Sequence, residues 1–271
     1  LHALRLNPIA CMGVAIANDF DGDQWTFYKP PHEDLFELYG VDVHELNVWK
    51  GILANASEQL ARGRVVLSEI DSYYLPDTAG TDYRRNHVKT TIAMHSLDLE
   101  RQTLRYFHNR SYHELQGEDF VHLFRVGAPH DPTFMPFFAE FVRLDRVQHN
   151  TDAELAAISR ALLQKHFARR PSGNPVVAYK SRFLSDVEAL KATGIDAYHA
   201  YAFANLRQLG SGAELLSTQL QWLRAQGQGD FSAASADMTA LSNGTKTMLM
   251  KAARAVVVKK PADLAALMED V

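Results

Sequence analysis

The pattern of turn and apolar residues divides the chain into a mixed first part and an almost wholly helical second part. The stretch GAPHDPTFMP at 127–136 has three prolines and a glycine, which predicts a linker. Strand-like segments lie before it, and apolar residues at helical spacing follow it. We therefore expect an α+β protein with a mixed domain over 1–126 and a helical domain over 137–271.

Strands and helices are predicted from local signals. Runs rich in β-branched and aromatic residues predict strands at 24–29, 64–71, 88–97 and 102–108. The last two are separated by a short polar turn and should form a hairpin. Asn7 as an N-cap and Pro8 at the first position predict a short buried helix within NPIACMGVAIAND. Apolar spacing, capping residues and terminal glycines predict further helices at 31–40, 47–63, 137–146, 151–168, 183–193, 196–209, 212–226, 232–241, 244–259 and 261–269. GSG at 210–212 is interpreted as a turn between two helices.

Composition restricts the class of protein. Hydrophobic residues make up 46% of 271 residues, enough for a substantial core. A net charge of −4 with scattered basic residues argues against nucleic acid or an anionic membrane as partners, and no apolar run reaches membrane-spanning length. A single cysteine, Cys11, forms no internal disulfide, and nothing resembles a signal peptide, so we expect a cytoplasmic protein. The opening LHALRLNP, without methionine, predicts that native sequence upstream is missing.

His87 stands at the junction between a turn-rich loop and the predicted strand 88–97. Register counting along the hairpin places it within about three residues of the position opposite Asn109. An Asn oxygen can orient an imidazole so that its other nitrogen acts as a base. The same residues are also consistent with an ordinary loop His and a turn-opening Asn, and the nucleophile is missing from this pattern.

The segment 64–109, with DSYYLP before the loop and His87 after it, resembles papain-like proteins such as the N-terminal domain of the butirosin acyltransferase BtrH. With DGDQWTF, DLFELYG and YHAYAFANLRQLG, nearly the whole chain resembles a bacterial family of unknown function, the 1839-type domain. Members are often encoded beside amino acid:carrier-protein ligases, which are relatives of seryl-tRNA synthetase.

The resemblance implies a papain-like fold with a Cys–His–Asn/Asp site. His87 matches the family's His, and Asn109 or a nearby polar residue would match its orienting partner. The nucleophilic cysteine of the pattern would lie upstream of LHAL. Cys11 is the alternative, since a position one turn into a helix favours a thiolate, but an unpaired cysteine is more commonly a buried core residue.

Other polar and aromatic residues are candidates for substrate binding. Asp71 and Glu69 alternate at the end of a predicted strand, and Asp71 either lines a site or forms a structural salt bridge. Tyr73 and Tyr74 beside it offer ring surface and hydroxyls, or half-buried packing. The resemblance implies that the segment 19–27 passes the active site. Its candidate substrate contacts are Asp23, Gln24 and Trp25.

Metal and nucleotide cofactors are not indicated. The segment 19–27 has acids at alternate positions but lacks the distal ligands of a calcium loop. The histidines at 87, 95, 108 and 113 match no zinc or iron spacing, and no phosphate-binding glycine loop is present. We expect no cofactor other than a phosphopantetheine arm on a partner protein.

The basic and apolar stripe at 244–260 is typical of a core-facing helix with solvated lysines. Alternatively, it is a docking surface for an acidic carrier protein, with Lys246, Lys251 and Arg254 as its charges.

We expect a cysteine-dependent acyl or aminoacyl transferase that moves an amino acid from a carrier-protein thioester to a small-molecule or amine acceptor. A thiol peptidase or amidase and a non-catalytic carrier-protein-binding module are the alternatives.

Overall fold

The computed structural model describes residues 1–26, 28–129, 131 and 133–258. This part of the chain is an α+β protein that separates into two compact units. Unit 1 combines Leu1–Tyr39 with the chain from His149 onward, and unit 2 is Gly40–Gln148. The helical C-terminal region and the sheet therefore have separate cores.

Unit 2 is built on an antiparallel sheet of six strands, counted among the described residues, in the order β3-β8-β4-β5-β6-β7. The strands are β3 (Asp42–Glu45), β4 (Val65–Asp71), β5 (Lys89–Asp98), β6 (Thr103–His108), β7 (Ser111–Leu115) and β8 (Ala139–Arg143). Helices α2 (Ile52–Ala61) and α3 (Gly117–Leu123) contribute to one apolar core with the sheet. The predicted hairpin of 88–97 and 102–108 is confirmed as β5 and β6.

The strand β4 shows how the sequence directs the sheet. Its residues alternate between half-buried and buried, with Val66, Ser68 and Ile70 on the buried side. Asp71 therefore lies on the same half-buried face as Glu69. Because β5 pairs with β4 so that Asp71 is opposite Lys89, the end of β4 meets the loop that precedes β5. This pairing places Asp71 near His87.

The predicted helix at 137–146 is wrong, because Ala139–Arg143 form β8 between β3 and β4. Pairing on both sides satisfies the backbone groups of this segment, and both Ala139 and Val142 are buried. Residues 137–148 consequently belong to the unit that contains the sheet rather than to the helical part that the sequence predicted to begin at 137.

Unit 1 joins a short N-terminal region to a set of long helices. The first region has a 3-10 helix over Pro8–Ala17, a two-stranded hairpin and α1. The hairpin consists of β1 (Phe20–Asp21) and β2 (Gln24–Trp25), and α1 is His32–Tyr39. The later helices are α4 (Asp152–Phe167), α5 (Pro175–Thr193), α6 (Ile195–Ala204), α7 (Leu206–Ala225) and α8 (Ser232–Val258).

Capping residues set several of these helix starts. Asn7 accepts a hydrogen bond from the Ile9 amide ahead of the 3-10 helix, and Thr151 and Glu154 form a capping box at α4. Asn174 caps α5 and Pro175 begins it, eight residues before the predicted start at 183. The helices at 31–40 and 151–168 are confirmed to within a residue at each end.

The predicted break at 210–212 is wrong, because this segment lies inside α7. A Cβ on Gly210 would come 2.5 Å from Thr245 Oγ1, so the absence of a side chain allows α8 to pack closely there. The segments 232–241 and 244–259, predicted as two helices, form the single helix α8 over its described residues. The predicted helix at 261–269 lies outside the described residues.

Across the described residues, we find no helix with both the length and the apolar character needed to cross a membrane.

Candidate active site

Asp71 ends β4 and contacts two different groups with its two carboxylate oxygens. Oδ1 accepts a hydrogen bond from the Tyr73 amide at 3.0 Å and so caps the short 3-10 helix Ser72–Tyr74. Oδ2 lies 2.6 Å from His87 Nδ1. The backbone contact holds the carboxylate in place, and the second oxygen then orients the imidazole.

The His87 ring lies flat against Tyr73, with ring centroids 4.2 Å apart and an interplanar angle of 9°. Tyr74 contacts the same ring edge-on. The His87 side chain is 66% exposed, and Nε2 has no hydrogen-bond partner among the described residues. With Nδ1 donating to Asp71, the lone pair of Nε2 faces an accessible surface and can accept a proton.

The loop before His87 is held by a network around Arg84. The Arg84 amide, at a positive φ of 56°, donates to the Tyr73 carbonyl, and its guanidinium pairs with Asp119 at 2.5 Å. That guanidinium also lies 5.8 Å from the Tyr73 ring centroid and 5.7 Å from that of Tyr74. Tyr83 donates a second hydrogen bond to Asp119. These contacts hold both aromatic rings and the end of the loop against α3.

Asn109 lies at a different place along the sheet. It occupies the turn between β6 and β7, at a φ of 52°. The register of β5 and β6 pairs Ala93 with Phe107, which puts Asn109 level with Thr91, whereas His87 precedes the start of β5 at Lys89. The structure thus brings His87 together with Asp71 and not with Asn109. The pairing of β4 with β5, rather than the hairpin, is the signal that would have found this partner.

A second histidine–carboxylate network, which sequence reasoning missed, lies inside unit 2. His108 Nδ1 is 2.5 Å from Asp77 Oδ2, and Tyr106 donates to Asp77 Oδ1 at 2.5 Å. The other His108 nitrogen is 2.8 Å from Thr90 Oγ1. Burial alone would raise the pKa of Asp77, but the hydrogen bonds from Tyr106 and His108 outweigh it and lower that pKa. All of these groups are buried or half-buried, which indicates a structural role.

Another buried pair is found in unit 1, where His166 Nε2 lies 2.5 Å from Asp34 Oδ2. Lys165 donates to the other Asp34 oxygen at 3.2 Å. The His166 and Asp34 side chains are only 1% and 2% exposed, so this pair joins α1 to α4 and has no accessible nitrogen for a substrate.

Cys11 is a buried thiol in unit 1. Its Sγ donates a hydrogen bond to the Pro8 carbonyl at 3.2 Å, and the residue is 4% exposed. Burial raises the pKa of Cys11 to about 11, so the thiol is protonated at neutral pH. This environment agrees with the interpretation of Cys11 as a core residue and gives it none of the properties of an activated nucleophile.

The three predicted contacts at 23–25 also belong to unit 1. Asp23 and Gln24 are exposed at the turn of the β1–β2 hairpin. Trp25 is 4% exposed, and its ring packs against Phe20 and Tyr179 in the core. Their part in substrate binding stays a prediction.

A cleft of about 290 Å³ opens in unit 2, and Asp71, the partner of His87, is one of its lining residues. One side is formed by the end of β4 and the start of β5, and the other by residues 134–138, which include the end of the predicted linker. Its lining residues are Glu69, Ile70, Asp71, Val88, Lys89, Phe134, Met135, Pro136, Phe137 and Phe138. Asp71 contributes to both the dyad and the cleft lining, and Val88, which follows His87 in the chain, also lines the cleft.

The described histidines, acids and Cys11 include no cluster of three or more that could bind a metal ion. The fold and site therefore define an α+β protein with an exposed His–Asp dyad at the mouth of a small, largely apolar cleft.

The chain belongs to the DUF1839 family. Residues 1–144 match the DUF1839 N-terminal domain, and residues 152–271 match the DUF1839 C-terminal domain. The gap between the two matches lies between the end of β8 and the start of α4. It comes after the linker predicted at 127–136. No curated protein matches this sequence.

Proposed function

We propose that this protein catalyses acyl or aminoacyl transfer from a carrier-protein thioester, with His87 as the group that moves the proton and Asp71 as its orienting partner. The observation that carries the proposal is the 2.6 Å contact between Asp71 Oδ2 and His87 Nδ1, which leaves Nε2 accessible beside a cleft. The antiparallel sheet, with a His just before one strand, supports the papain-like arrangement that the sequence resemblance implies.

The chemistry is that of a neutral imidazole acting as a base. Nε2 of His87 accepts a proton from a cysteine thiol, the thiolate attacks the thioester carbonyl, and the carrier thiol leaves with the proton from the imidazolium. The acceptor amine then attacks the acyl-enzyme, and His87 takes the proton of the amine and returns it to the cysteine sulfur as that bond breaks. Asp71 stabilises the imidazolium at each step.

The identity of the attacking thiol is a separate part of the proposal. Cys11, protonated and donating to the Pro8 carbonyl, is poorly suited to it. The same base also supports a one-step route, in which the amine attacks the carrier thioester directly and Nε2 of His87 takes its proton. The imidazolium then gives this proton to the carrier thiol as the carbon–sulfur bond breaks. Both routes require His87 and Asp71, and they differ in whether an acyl-enzyme forms.

The test is the intact mass of the full-length gene product after incubation with an aminoacylated carrier protein, together with the rate of thioester loss. We expect turnover that requires His87 and persists in Cys11→Ala. An adduct on the protein identifies the two-step route, and turnover without an adduct identifies the one-step route. Carrier binding with neither adduct nor turnover would contradict the transferase and leave a non-catalytic carrier-protein-binding module.

A further inference from the structure

The cleft beside the dyad carries more negative than positive charge. Glu69 and Asp71 lie on the same face of β4, and both line the cleft. Lys89 is the cation that lines it, and its Nζ is 2.8 Å from Glu69 Oε1. With His87 neutral, two carboxylates and one ammonium leave a net charge of −1 at the cleft. A cationic group is therefore favoured there over a carboxylate.

The Glu69–Lys89 pair is weak enough for a ligand to replace one partner. The Lys89 side chain is 72% exposed, and exposed ion pairs of this kind contribute little to stability. The pair uses Oε1 of Glu69, and a bound ammonium has the second oxygen, Oε2, as its acceptor.

The cleft also has apolar lining residues that are accessible on both of its sides. Val88, Phe134 and Phe138 are between 43% and 48% exposed, and Met135 is 81% exposed. Large apolar side chains that are exposed next to one another mark a binding surface more often than isolated ones do. The volume of about 290 Å³ is just below the range of roughly 300–1,000 Å³ that is usual for small-molecule sites, which suits one amino-acid-sized group rather than a long chain.

We propose that this cleft binds the acyl part of the substrate, and that this part is an α-aminoacyl group with an apolar side chain. The inference rests on the proposed function, because it places the acyl carbonyl near Nε2 of His87. Glu69 accepts the α-ammonium group, and the side chain packs against Val88 and Phe138. An acyl group without the ammonium loses the first contact, and an acidic side chain is repelled by the net charge of the cleft.

The experiment measures binding of an unreactive amide, so that it does not depend on turnover. The probes are phenylalanine N-butylamide and the matching amide of 3-phenylpropionic acid, which lacks the ammonium, titrated by calorimetry. We expect the first to bind about tenfold more tightly, as for one charge-assisted hydrogen bond. Glu69→Gln should bring this ratio to about one, while Phe138→Ser should weaken both amides about equally.

Glu114→Gln is the matched control, because Glu114 forms a similar 2.8 Å ion pair with Arg105 on β6 and β7, outside the cleft lining. It should leave the ratio unchanged. Equal affinities for the two amides, a ratio unaffected by Glu69→Gln, or binding of neither amide would overturn the inference. A protein that shows the expected preference but consumes no aminoacyl thioester would retain the binding site and reject the proposed transferase.

Discussion

The Asp71 carboxylate joins the cap of a helical turn to the His87 imidazole, with 3.0 Å from Oδ1 to the Tyr73 amide and 2.6 Å from Oδ2 to His87 Nδ1. The backbone contact limits the rotation of the carboxylate, which in turn sets the imidazole. The loop and the strand end thus present a preorganised dyad, which is the arrangement that general-base catalysis requires.

Replacing Asp71 by Asn should lower the rate of aminoacyl-thioester consumption by about 10²- to 10⁴-fold, because an amide can hold the imidazole in the wrong tautomer. Asn109→Ala is the matched comparison, and we expect it to change the rate less than threefold, roughly 0.6 kcal/mol or less. The pH profile of kcat should change in Asp71→Asn, which a merely structural change would not cause. A larger effect at Asn109 than at Asp71 would restore the orienting role that the sequence suggested.

Cys11 should react with iodoacetamide at pH 8 about a hundredfold more slowly than an exposed cysteine, because the pKa of its thiol is raised to about 11. The raised pKa also predicts a pH effect. The contribution of Cys11 to stability is present below its ordinary value of 9.0 and is lost as the pH rises towards about 11. The free energy of unfolding, measured by urea titration between pH 8 and 11, should therefore fall less in Cys11→Ala than in the unchanged protein. Rapid labelling at pH 8 would contradict the buried, protonated thiol.

Asp77→Asn should reduce the free energy of unfolding by about 2–3 kcal/mol at pH 7, because it weakens a buried hydrogen-bonded pair with His108. The folded pKa of Asp77 is lowered below 3.8. Its contribution is therefore present above that value and is lost as the pH falls through the folded pKa. Urea unfolding between pH 3 and 7 checks this, with exposed Glu100→Gln in the β5–β6 turn as the control. An Asp77 variant as stable as the control variant would exclude the proposed structural role.

Gly210→Ala should destabilise the protein by about 1–2 kcal/mol, because overpacking against Thr245 exceeds the gain in helix propensity. The added Cβ would meet Thr245 Oγ1 at 2.5 Å. A double variant with Thr245→Ala should recover much of the loss, which a double-mutant cycle measures. Gly173→Ala, where nothing lies within 4 Å of the new Cβ, serves as the control. If Gly210→Ala and Thr245→Ala change the free energy of unfolding additively, the close approach of the two residues is not the cause of the lost stability.

Lys251 and Arg254 lie on the exposed side of α8. Changing both to Glu should weaken the binding of an acidic carrier protein about tenfold and should make the affinity less dependent on salt concentration. Lys246 is a less sensitive position, since Glu214 already pairs with it at 2.8 Å. Arg160→Glu on α4 carries the same type of charge change as a control. The affinities are measured by calorimetry. If all variants bind the carrier protein equally tightly, α8 is not the docking surface.

Local signals in the sequence were sufficient for many of the elements. The helices α4 and α1 were predicted to within a residue at each end, and the Thr151–Glu154 capping box and the glycine after α1 are local features of the sequence that agree with these bounds. The hairpin of β5 and β6 was predictable because its strands are close in the chain. His87 was recognised as a candidate because it stands where a loop meets a strand.

The tertiary structure decided what depends on residues distant in the sequence. Ala139–Arg143 is a strand because β3 and β4 pair with it on both sides, and Gly210 continues a helix because α8 packs closely against it. Likewise, Asp71 rather than Asn109 reaches His87 because β4 lies beside β5 in the sheet. Periodicity and capping are local properties of the chain, whereas strand neighbours and close helix contacts depend on how the whole fold is packed.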